Sequence, residues 1–554
     1  MAVLGVRRQA DWDTGPPAVE RRLHAPARTD VTTTRGQTGS RPSGALVALT
    51  GLLAVFMLVP IGYVVSVVFD VGWSTLGPLI FRPRVGELLL NTVLLVVIGV
   101  PATVVLGVGG AWLVERTSLP GRRAWAVVLV APLAIPAFVS SYGWGSTFPF
   151  VEGLGGALLI TTLAYYPLVY LPAMAAIRGL DPALEESARS LGLGSWAVFG
   201  RVVLPQLRLA VLGGGLIVGL HLLAEYGAFA FIRFDTFTTA IIVQYRSTFA
   251  GPGAGALGVV LAALCLTLLV AEASARGRIR YARVGSGAPR APMPVDLGRA
   301  TPLAIAAVAV VGIAGVGIPL TSVIRWLAAG GSWAQPGLPA AFAQTAILAG
   351  GGAALAVLVA FPTAWLTVRH PSRLSRAIEG SSYVASSLPA IIVALALVTV
   401  TLRTVPSLYQ TAFTVMLAYV IIFMPRALVS LRSGIAQAPE QLEEAARSLG
   451  HSPMAARVRV TLPRLVPAMT AGAALVALGA ANELTATLLL APNGTRTLAT
   501  QFWSAASSVD YPAAAPYAVL LILLSVPAVA LMFGHSRQSP VVRLGKRRRE
   551  GTTR

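Results

Sequence analysis

The stretch Glu443-Glu444-Ala445-Ala446-Arg447-Ser448-Leu449-Gly450, followed by Val460-Thr461-Leu462-Pro463, occurs twice in this chain. The earlier copy is Glu185-Glu186-Ser187-Ala188-Arg189-Ser190-Leu191-Gly192, and it is followed by Val202-Val203-Leu204-Pro205. All matched positions are 258 residues apart, without a gap. We infer that the chain is built from two related halves, each organised around one copy.

Each copy predicts a short amphipathic helix, a turn and a second helix. Asp181-Pro182 is a typical pair of N-cap and first helical residue for the first copy. Gly192 and Gly450 stand where a residue in the left-handed conformation can end a helix, and Ser452-Pro453 can start the next one. The sequence therefore predicts a helix-turn-helix that lies flat on a membrane surface.

A single amphipathic helix of this kind could lie in the membrane interface without a partner. The repetition argues against that interpretation. A helix with no binding partner has little reason to keep the same glutamate, alanine, glycine and Leu-Pro positions in both halves.

The composition is that of a membrane protein. Of 554 residues, 55% are hydrophobic and 12% are charged, and the mean hydropathy is +0.73, whereas soluble domains carry about 25% charged residues. The net charge of +21 could suggest a nucleic-acid partner, but the arginines are spread over loops between apolar runs. No basic domain with interleaved aromatic residues stands apart, so we expect no nucleic-acid binding.

Cysteine and lysine are both nearly absent. The single cysteine, Cys265, excludes intrachain disulfides and cysteine-based metal sites. The single lysine, Lys546, follows Gly545 but precedes Arg547, so the chain has no phosphate-binding loop of the form G-x-x-x-x-G-K-[ST]. We expect no cofactor on this chain and no ATP hydrolysis by it.

Apolar segments predict an all-α polytopic protein with about twelve transmembrane helices, six in each half. The first six lie at about 45–68, 88–112, 125–145, 154–177, 209–232 and 255–275. The second six lie at about 301–325, 342–366, 378–401, 408–431, 467–490 and 513–534. The predicted units are a disordered basic tail (1–44), a first repeat (45–275), a linker (276–300), a second repeat (301–534) and a basic tail (535–554).

The distribution of positive charge predicts the orientation in the membrane. With the amino terminus inside, the outer loops hold seven of the 43 lysine and arginine residues, namely Arg82, Arg84, Arg233, Arg246, Arg325, Arg403 and Arg496. Positive residues are favoured on the cytoplasmic side. We therefore expect both termini, the linker and both repeated loops to be cytoplasmic, in the plasma membrane.

The repeat extends well beyond the loops. Ala111-Trp112-Leu113 recurs 253 residues later as Ala364-Trp365-Leu366, and Ile135-Pro136 recurs as Leu388-Pro389. Both halves run in the same direction through the membrane, so they are parallel repeats around an axis along the membrane normal. The sequence thus predicts that the two halves of one chain form a pseudo-dimer around a central pathway.

The pattern Glu-Ala-Ala, three residues, Gly, nine residues, an aliphatic residue, one residue and Leu-Pro resembles the loop of permease subunits of binding-protein-dependent ABC importers. The resemblance implies the type I importer permease fold, coupling helices that dock on a separate ABC ATPase homodimer, and an extracytoplasmic binding protein. ATP and Mg²⁺ would bind the ATPase, and lipid would surround this chain. The loop residues it assigns are Glu185, Glu186, Ala188, Gly192, Leu204, Pro205, Glu443, Glu444, Ala445, Ala446, Gly450, Leu462 and Pro463.

Two glutamates inside predicted spans are candidates for the pathway. Glu225 and Glu483 occupy matched positions after their loops. A carboxylate in hydrocarbon costs several kcal/mol, so such residues usually face a polar cavity or a partner. The alternative is a glutamate near the outer interface, or one that is paired with a loop arginine such as Arg233 or Arg496.

Fused permeases of this shape resemble the ferric-iron importer group, to which the stretch Asn482-Glu483-Leu484-Thr485-Ala486-Thr487 is similar. Asn482 is a departure, since many relatives carry a basic residue there. Fe(III) is a hard cation that suits carboxylate oxygens, although the sequence assigns no metal ligand firmly. Thiamine and polyamine importers share the architecture and also carry cations, so they remain alternatives.

Two other classes of protein predict different sequences. A secondary transporter driven by an ion gradient predicts inverted repeats and no ATPase-docking loop. A scaffolding membrane protein predicts no repeated cytoplasmic loop. The parallel repeats and paired loops favour the importer permease over both.

Overall fold

The computed structural model describes residues 42–248, 252–276 and 294–537. Most of the predicted tails (1–44 and 535–554) and of the predicted linker (276–300) lies outside the described residues. Over the described ranges the chain is helical, with one isolated bridge between Thr117 and Val295. Through this bridge the carboxyl end of the linker returns to the first half, where Ser118 N donates to Val295 O at 3.0 Å.

Eight continuous stretches of helix are long and apolar enough to cross a bilayer: Pro83–Arg116, Gly153–Gly179, Pro252–Arg276, Gly298–Ala328, Leu338–Arg369, Ala412–Gln437, Pro453–Ala481 and Tyr511–Gly534. Four further pairs of helices reach that length together but are bent: Gly44–Met57 with Val59–Val71, Arg122–Ala134 with Ala137–Gly145, Phe199–Gln206 with Arg208–Ala224, and Arg373–Ser386 with Ala390–Thr404. Counting each bent pair as one span gives twelve, as predicted.

The third predicted span of each half is not straight. The helices bend by 94° within the predicted segment 125–145 and by 103° within 378–401. The bends lie at Pro136 and Pro389, which act as N-caps of the following helices. A proline disfavours helical geometry in the preceding residue, and Ile135 is accordingly extended, at φ −107° and ψ 112°.

The fifth predicted spans end earlier than the sequence suggested. The segment predicted at 209–232 is helical to Ala224, and the one predicted at 467–490 is helical to Ala481. Each continues after a break as a short helix, Gly227–Phe231 or Thr485–Leu490. Three helices also lie in segments that the sequence left as loops: Trp73–Ile80, Phe237–Thr248 and Leu498–Ser507.

The first span of each half packs on the third span of the other half. Where the first span of the second half packs on the third span of the first half, Arg325 Nη2 donates to Ser146 O at 3.1 Å. A Cβ at Gly143 would lie 2.6 Å from Pro319 Cα in the same contact. Where the first span of the first half packs on the third span of the second half, Arg403 Nη1 lies 2.6 Å from Asp70 Oδ2. These crossed contacts hold the two repeats together as one helical body.

Aromatic side chains fill the interface between the halves. Tyr142 is fully buried, and its hydroxyl donates to Tyr511 O at 2.8 Å. The Tyr142 and Phe502 rings lie 5.3 Å apart at 74°, an edge-to-face arrangement. The core of the molecule therefore lies between the repeats as well as within each of them.

Candidate functional site

The two repeated loops fold in the same way. We call Pro182–Ser190 the first loop helix and Glu440–Ser448 the second loop helix, and their bounds are 258 residues apart. Asp181 caps the first loop helix, as predicted, because its side chain accepts from Ala183 N at 3.0 Å. The second loop helix begins after Pro439 and has no side-chain cap.

A left-handed glycine ends each loop helix, which confirms the prediction from the sequence. Gly192 has φ +84° and Gly450 has φ +89°. The residue after each glycine donates back across the helix end, from Leu193 N to Ala188 O at 3.2 Å and from His451 N to Ala446 O at 3.1 Å. This bonding satisfies carbonyls that a helix end otherwise leaves free.

The helix that follows each loop contains a π-helical turn. The two turns are Phe199–Val203 and Arg457–Thr461, again 258 residues apart. In the second half, Ser452 caps this helix as predicted, with Ala455 N donating to its hydroxyl at 3.2 Å. A π-turn inside an α-helix is uncommon and is frequent at functional sites.

The first glutamate of each copy points inward. Glu185 is 6% exposed and pairs with Arg116, which is 3% exposed, at 2.9 Å. In the second half, Glu443 Oε1 accepts from the Thr461 hydroxyl at 2.5 Å and lies 3.8 Å from Arg369. Both glutamates therefore hold their loop helix to the protein interior.

Arg116 and Arg369 are the residues at which the long helices Pro83–Arg116 and Leu338–Arg369 end. Each arginine also donates through Nη2 to a backbone carbonyl, Ile177 O or Ala438 O, in both cases at 3.0 Å. Sequence analysis did not single out these arginines. Their separation of 253 residues, shared with the Ala-Trp-Leu repeat, is the signal that could have identified them.

The second glutamate of each copy points outward. Glu186 and Glu444 are exposed, and so are the leucines before the glycines, with Leu191 83% and Leu449 82% exposed. The alanines Ala188 and Ala446 are buried beneath the loop helices, whereas Ala445 is exposed. The Leu-Pro pairs, Leu204-Pro205 and Leu462-Pro463, are also exposed.

Glu225 and Glu483 lie at the two helix breaks, which we call the first break (Glu225–Tyr226) and the second break (Asn482–Leu484). Glu225 Oε1 accepts from Ala228 N at 2.9 Å, and Glu483 Oε1 accepts from Ala486 N at 2.8 Å. Each carboxylate thus binds the amino end of the short helix that follows it, where the helix dipole favours negative charge.

The two breaks meet at the interface between the halves. A Cβ at Gly227 would lie 2.9 Å from Leu484 Cδ2, and Glu483 interacts electrostatically with Glu225. Neither glutamate forms an ion pair with Arg233 or Arg496 in the described part of the chain.

The surroundings of the two glutamates differ. The Tyr165 hydroxyl donates to Glu225 Oε2 at 2.5 Å, whereas the matched residue near Glu483 is Phe423, which has no hydroxyl. Asn482 donates to Ser525 Oγ at 3.0 Å. Over the described ranges, no group of three or more His, Cys, Asp and Glu side chains could hold a metal ion.

Comparison with known proteins agrees with this architecture. The family model described as "binding-protein-dependent transport system inner membrane component" matches residues 352–538, within the second half. The Fe(3+)-transport system permease protein FbpB 2 of Haemophilus influenzae is 36% identical over 498 residues, which cover 89% of this chain and 98% of that protein.

Shorter relatives match about one third of the chain. The sulfate transport system permease protein CysW of Synechocystis is 31% identical over 199 residues, covering 32% of this chain and 72% of that protein. The molybdenum transport system permease protein ModB of Escherichia coli is 29% identical over 195 residues, covering 31% and 84%. The chain therefore belongs to the family of inner membrane permeases of binding-protein-dependent ABC transport systems, as a fused form of about twice the length of a typical member.

Proposed function

We propose that this permease imports ferric iron. The observation that carries the proposal is the similarity to the Fe(3+)-transport permease, which extends over nearly the whole of both proteins. The sulfate and molybdenum permeases match only about one third of the chain, at lower identity. The two carboxylates at the breaks are also the kind of ligand that a hard cation prefers.

We further propose that the two loop helices couple the permease to a homodimer of ABC ATPase subunits, on which ATP and Mg²⁺ bind. Leu191, Leu449, Glu186 and Glu444 would contact the ATPase, because they are exposed at matched positions of the two loops. Glu185 and Glu443 would instead transmit the movement, because they are tied to Arg116 and Arg369. A large exposed apolar residue repeated at matched positions supports a protein interface.

The orientation follows from this proposal. Both loops, both termini and the linker would be cytoplasmic, and an extracytoplasmic binding protein would deliver the substrate to the opposite face. ATP binding would draw the loop helices together and rock the two halves so that the pathway opens outward. The ATPase needs only a differential affinity for the two permease conformations to drive this change.

Glu225 and Glu483 would line the pathway, since both lie at breaks within spans where the two halves meet. Discontinuous membrane helices commonly form substrate sites near the middle of the bilayer. The matched positions of the two carboxylates would place one on each wall of the pathway.

Uptake by the reconstituted importer tests the proposed substrate. The chain, its ATPase and its binding protein would be placed in proteoliposomes, and ATP-dependent accumulation of radiolabelled Fe(III) measured. We expect accumulation that excess Fe(III) suppresses and that thiamine, polyamines, sulfate and molybdate do not. Uptake of any of these competitors in place of iron would contradict the proposal.

A further inference from the structure

Two basic side chains, His221 and Arg426, lie near the breaks and were not predicted as pathway residues. His221 is one turn before Glu225 on the helix Arg208–Ala224. Arg426 lies within the span Ala412–Gln437 and interacts electrostatically with Glu483. All four side chains, His221, Glu225, Arg426 and Glu483, are partly exposed although they lie in apolar spans.

The two basic side chains lie on helices that do not correspond in the two halves, but they contact carbonyls at matched positions. His221 Nδ1 lies 2.8 Å from Ile217 O. Arg426 Nη1 donates to Leu475 O at 3.2 Å, and Ile217 and Leu475 are 258 residues apart. In each half, therefore, one basic nitrogen contacts the same carbonyl of the fifth span, although Arg426 itself belongs to the span Ala412–Gln437.

Matched aromatic rings support the two basic groups. The Tyr165 ring lies 5.3 Å from the His221 ring, and the Arg426 guanidinium carbon lies 4.7 Å from the centre of the Phe423 ring. Gly479 stands at the position of His221, and a Cβ there would overlap Arg426 Nη1. A side chain at Gly479 would therefore require the guanidinium to shift.

An arginine within a membrane span is costly unless it faces a polar cavity or a partner. Arg426 forms no ion pair within the described residues. Its contacts are one carbonyl, one aromatic face and the longer-range attraction to Glu483. A guanidinium with unused donors is suited to bind a carboxylate or a phosphate in a forked geometry.

We propose that Arg426 binds an oxyanion, a carboxylate or a phosphate, that enters the pathway as a ligand of the metal ion. This inference rests on the proposed transport of iron. Fe(III) would then cross as an oxyanion complex, with the two glutamates facing the metal and Arg426 facing its ligand. In the first half, the basic side chain at the matched carbonyl is His221.

The geometry disfavours passage of a bare ion for two reasons. Hard cations take about six oxygen ligands, whereas Glu225 and Glu483 offer no more than four between them, and no third His, Cys, Asp or Glu side chain joins them in the described chain. Two carboxylates also balance at most two positive charges, and Arg426 cancels one of these. An oxyanion bound to the metal ion would supply both further oxygen ligands and the negative charge that these side chains lack.

The test is uptake with two labels in proteoliposomes that contain the complete importer. Radiolabelled Fe(III) would be supplied with labelled phosphate in one arm and labelled citrate in the other. We expect one of these oxyanions to accumulate together with iron. We also expect Arg426→Met to lower iron uptake at least about tenfold, equivalent to roughly 1.4 kcal/mol, and Arg426→Lys, which keeps the charge but not the forked geometry, to cause a smaller loss.

The matched control is Leu168→Met, because Leu168 stands at the position of Arg426 in the first half and should tolerate the change. Assembly with the ATPase and basal ATP hydrolysis identify a variant that has misfolded, and in that case Arg426→Lys and the wild-type label ratio decide. Iron that enters without either oxyanion, or undiminished uptake by Arg426→Met, overturns this inference and leaves the proposed substrate intact. If the wild-type importer takes up no iron, the proposed substrate itself is wrong.

Discussion

The two loops have the same backbone but unequal anchors. In the first half, Arg116 and Glu185 form a buried pair at 2.9 Å. In the second half, Arg369 is shared between Glu440 at 2.6 Å and Glu443 at 3.8 Å, and Glu440 is largely exposed. The two loop helices thus occupy equivalent positions in the two halves. The ion pairs that hold them there differ.

The two breaks differ in a similar way. Both glutamates bind the amino end of the next helix, but only Glu225 has a phenol donor, from Tyr165. Backbone geometry is therefore common to the halves, and side-chain chemistry is particular to each. This difference predicts which substitutions should act equally in both halves and which should not.

The largest effect is expected from Glu225→Gln combined with Glu483→Gln. Glutamine keeps the size and one oxygen for the helix end but removes the charge, so a pathway for a hard cation would lose its carboxylates. We expect loss of iron uptake with assembly and basal ATP hydrolysis retained, as measured in proteoliposomes. Unchanged uptake at limiting iron would remove both residues from the pathway.

The next effect should separate the two anchors. Arg116→Met leaves the buried Glu185 carboxylate with Arg189, 3.7 Å away, as its remaining partner. Removing one partner of a buried pair typically costs about 3–5 kcal/mol, so we expect a loss at or below the lower end of this range. Arg369→Met should cost less, because Glu440 is exposed and Glu443 keeps the Thr461 hydroxyl. Thermal unfolding of the purified complex would measure the difference.

The double variant Arg116→Met with Glu185→Met serves as the control, because replacing a buried ion pair by apolar groups is often neutral. It should recover much of the lost stability. Equal destabilisation by Arg116→Met and Arg369→Met would show that the two anchors contribute equally to stability, which contradicts the expected difference.

Substitution of the two loop glycines should give equal effects. A left-handed conformation costs other residues about 1–2 kcal/mol, and a Cβ at Gly192 or Gly450 would meet nothing within 4 Å. We expect Gly192→Val and Gly450→Val to lower uptake and retention of the ATPase on purification while membrane expression persists. Gly194→Ala is the control, since Gly194 has open space and no positive φ; normal transport by Gly450→Val would contradict the coupling assignment.

A smaller effect is expected where the breaks differ. Tyr165→Phe removes the hydroxyl that donates to Glu225 and makes the first break resemble the second. Because Ala228 N still binds the carboxylate, we expect uptake to fall by about two- to fivefold, equivalent to roughly 0.5–1 kcal/mol. Phe423→Tyr, the reciprocal change, should not lower uptake to the same extent, and equal losses in both halves would contradict the assigned difference.

The smallest effect concerns orientation alone. In a Cys265→Ala background, Ser286→Cys in the linker should leave transport unchanged and should not react with an impermeant thiol reagent applied to intact cells. The positive residues of the inner loops give this expectation. Reaction from outside would show that both halves have the opposite orientation to the one proposed.

Local sequence signals were sufficient for much of the fold. The Asp181-Pro182 cap, the left-handed glycines and the apolar segments each depend on residues close together in the chain. The constant offset of 258 residues also predicted that the loops would match, and the two loop helices have equivalent bounds.

Other features could not be predicted, because they depend on contacts between distant residues. The matched Ile-Pro and Leu-Pro pairs could be read from the sequence, but the helix bends of 94° and 103° could not. The family resemblance assigned both glutamates of each loop to coupling, whereas in the structure Glu185 is buried against Arg116 and Glu186 is exposed.

The sequence by itself determined that this is a duplicated membrane protein with two matched loops, because spacing, hydropathy and turn chemistry are properties of the chain. Tertiary structure alone decided that the breaks meet, and that His221 and Arg426 reach matched carbonyls from different helices. The physical reason is that a side chain's partner in a helical bundle is set by how the helices pack. The offset that relates the halves aligns His221 with Gly479 and Arg426 with Leu168, so it gives no sign that the two basic groups occupy equivalent places.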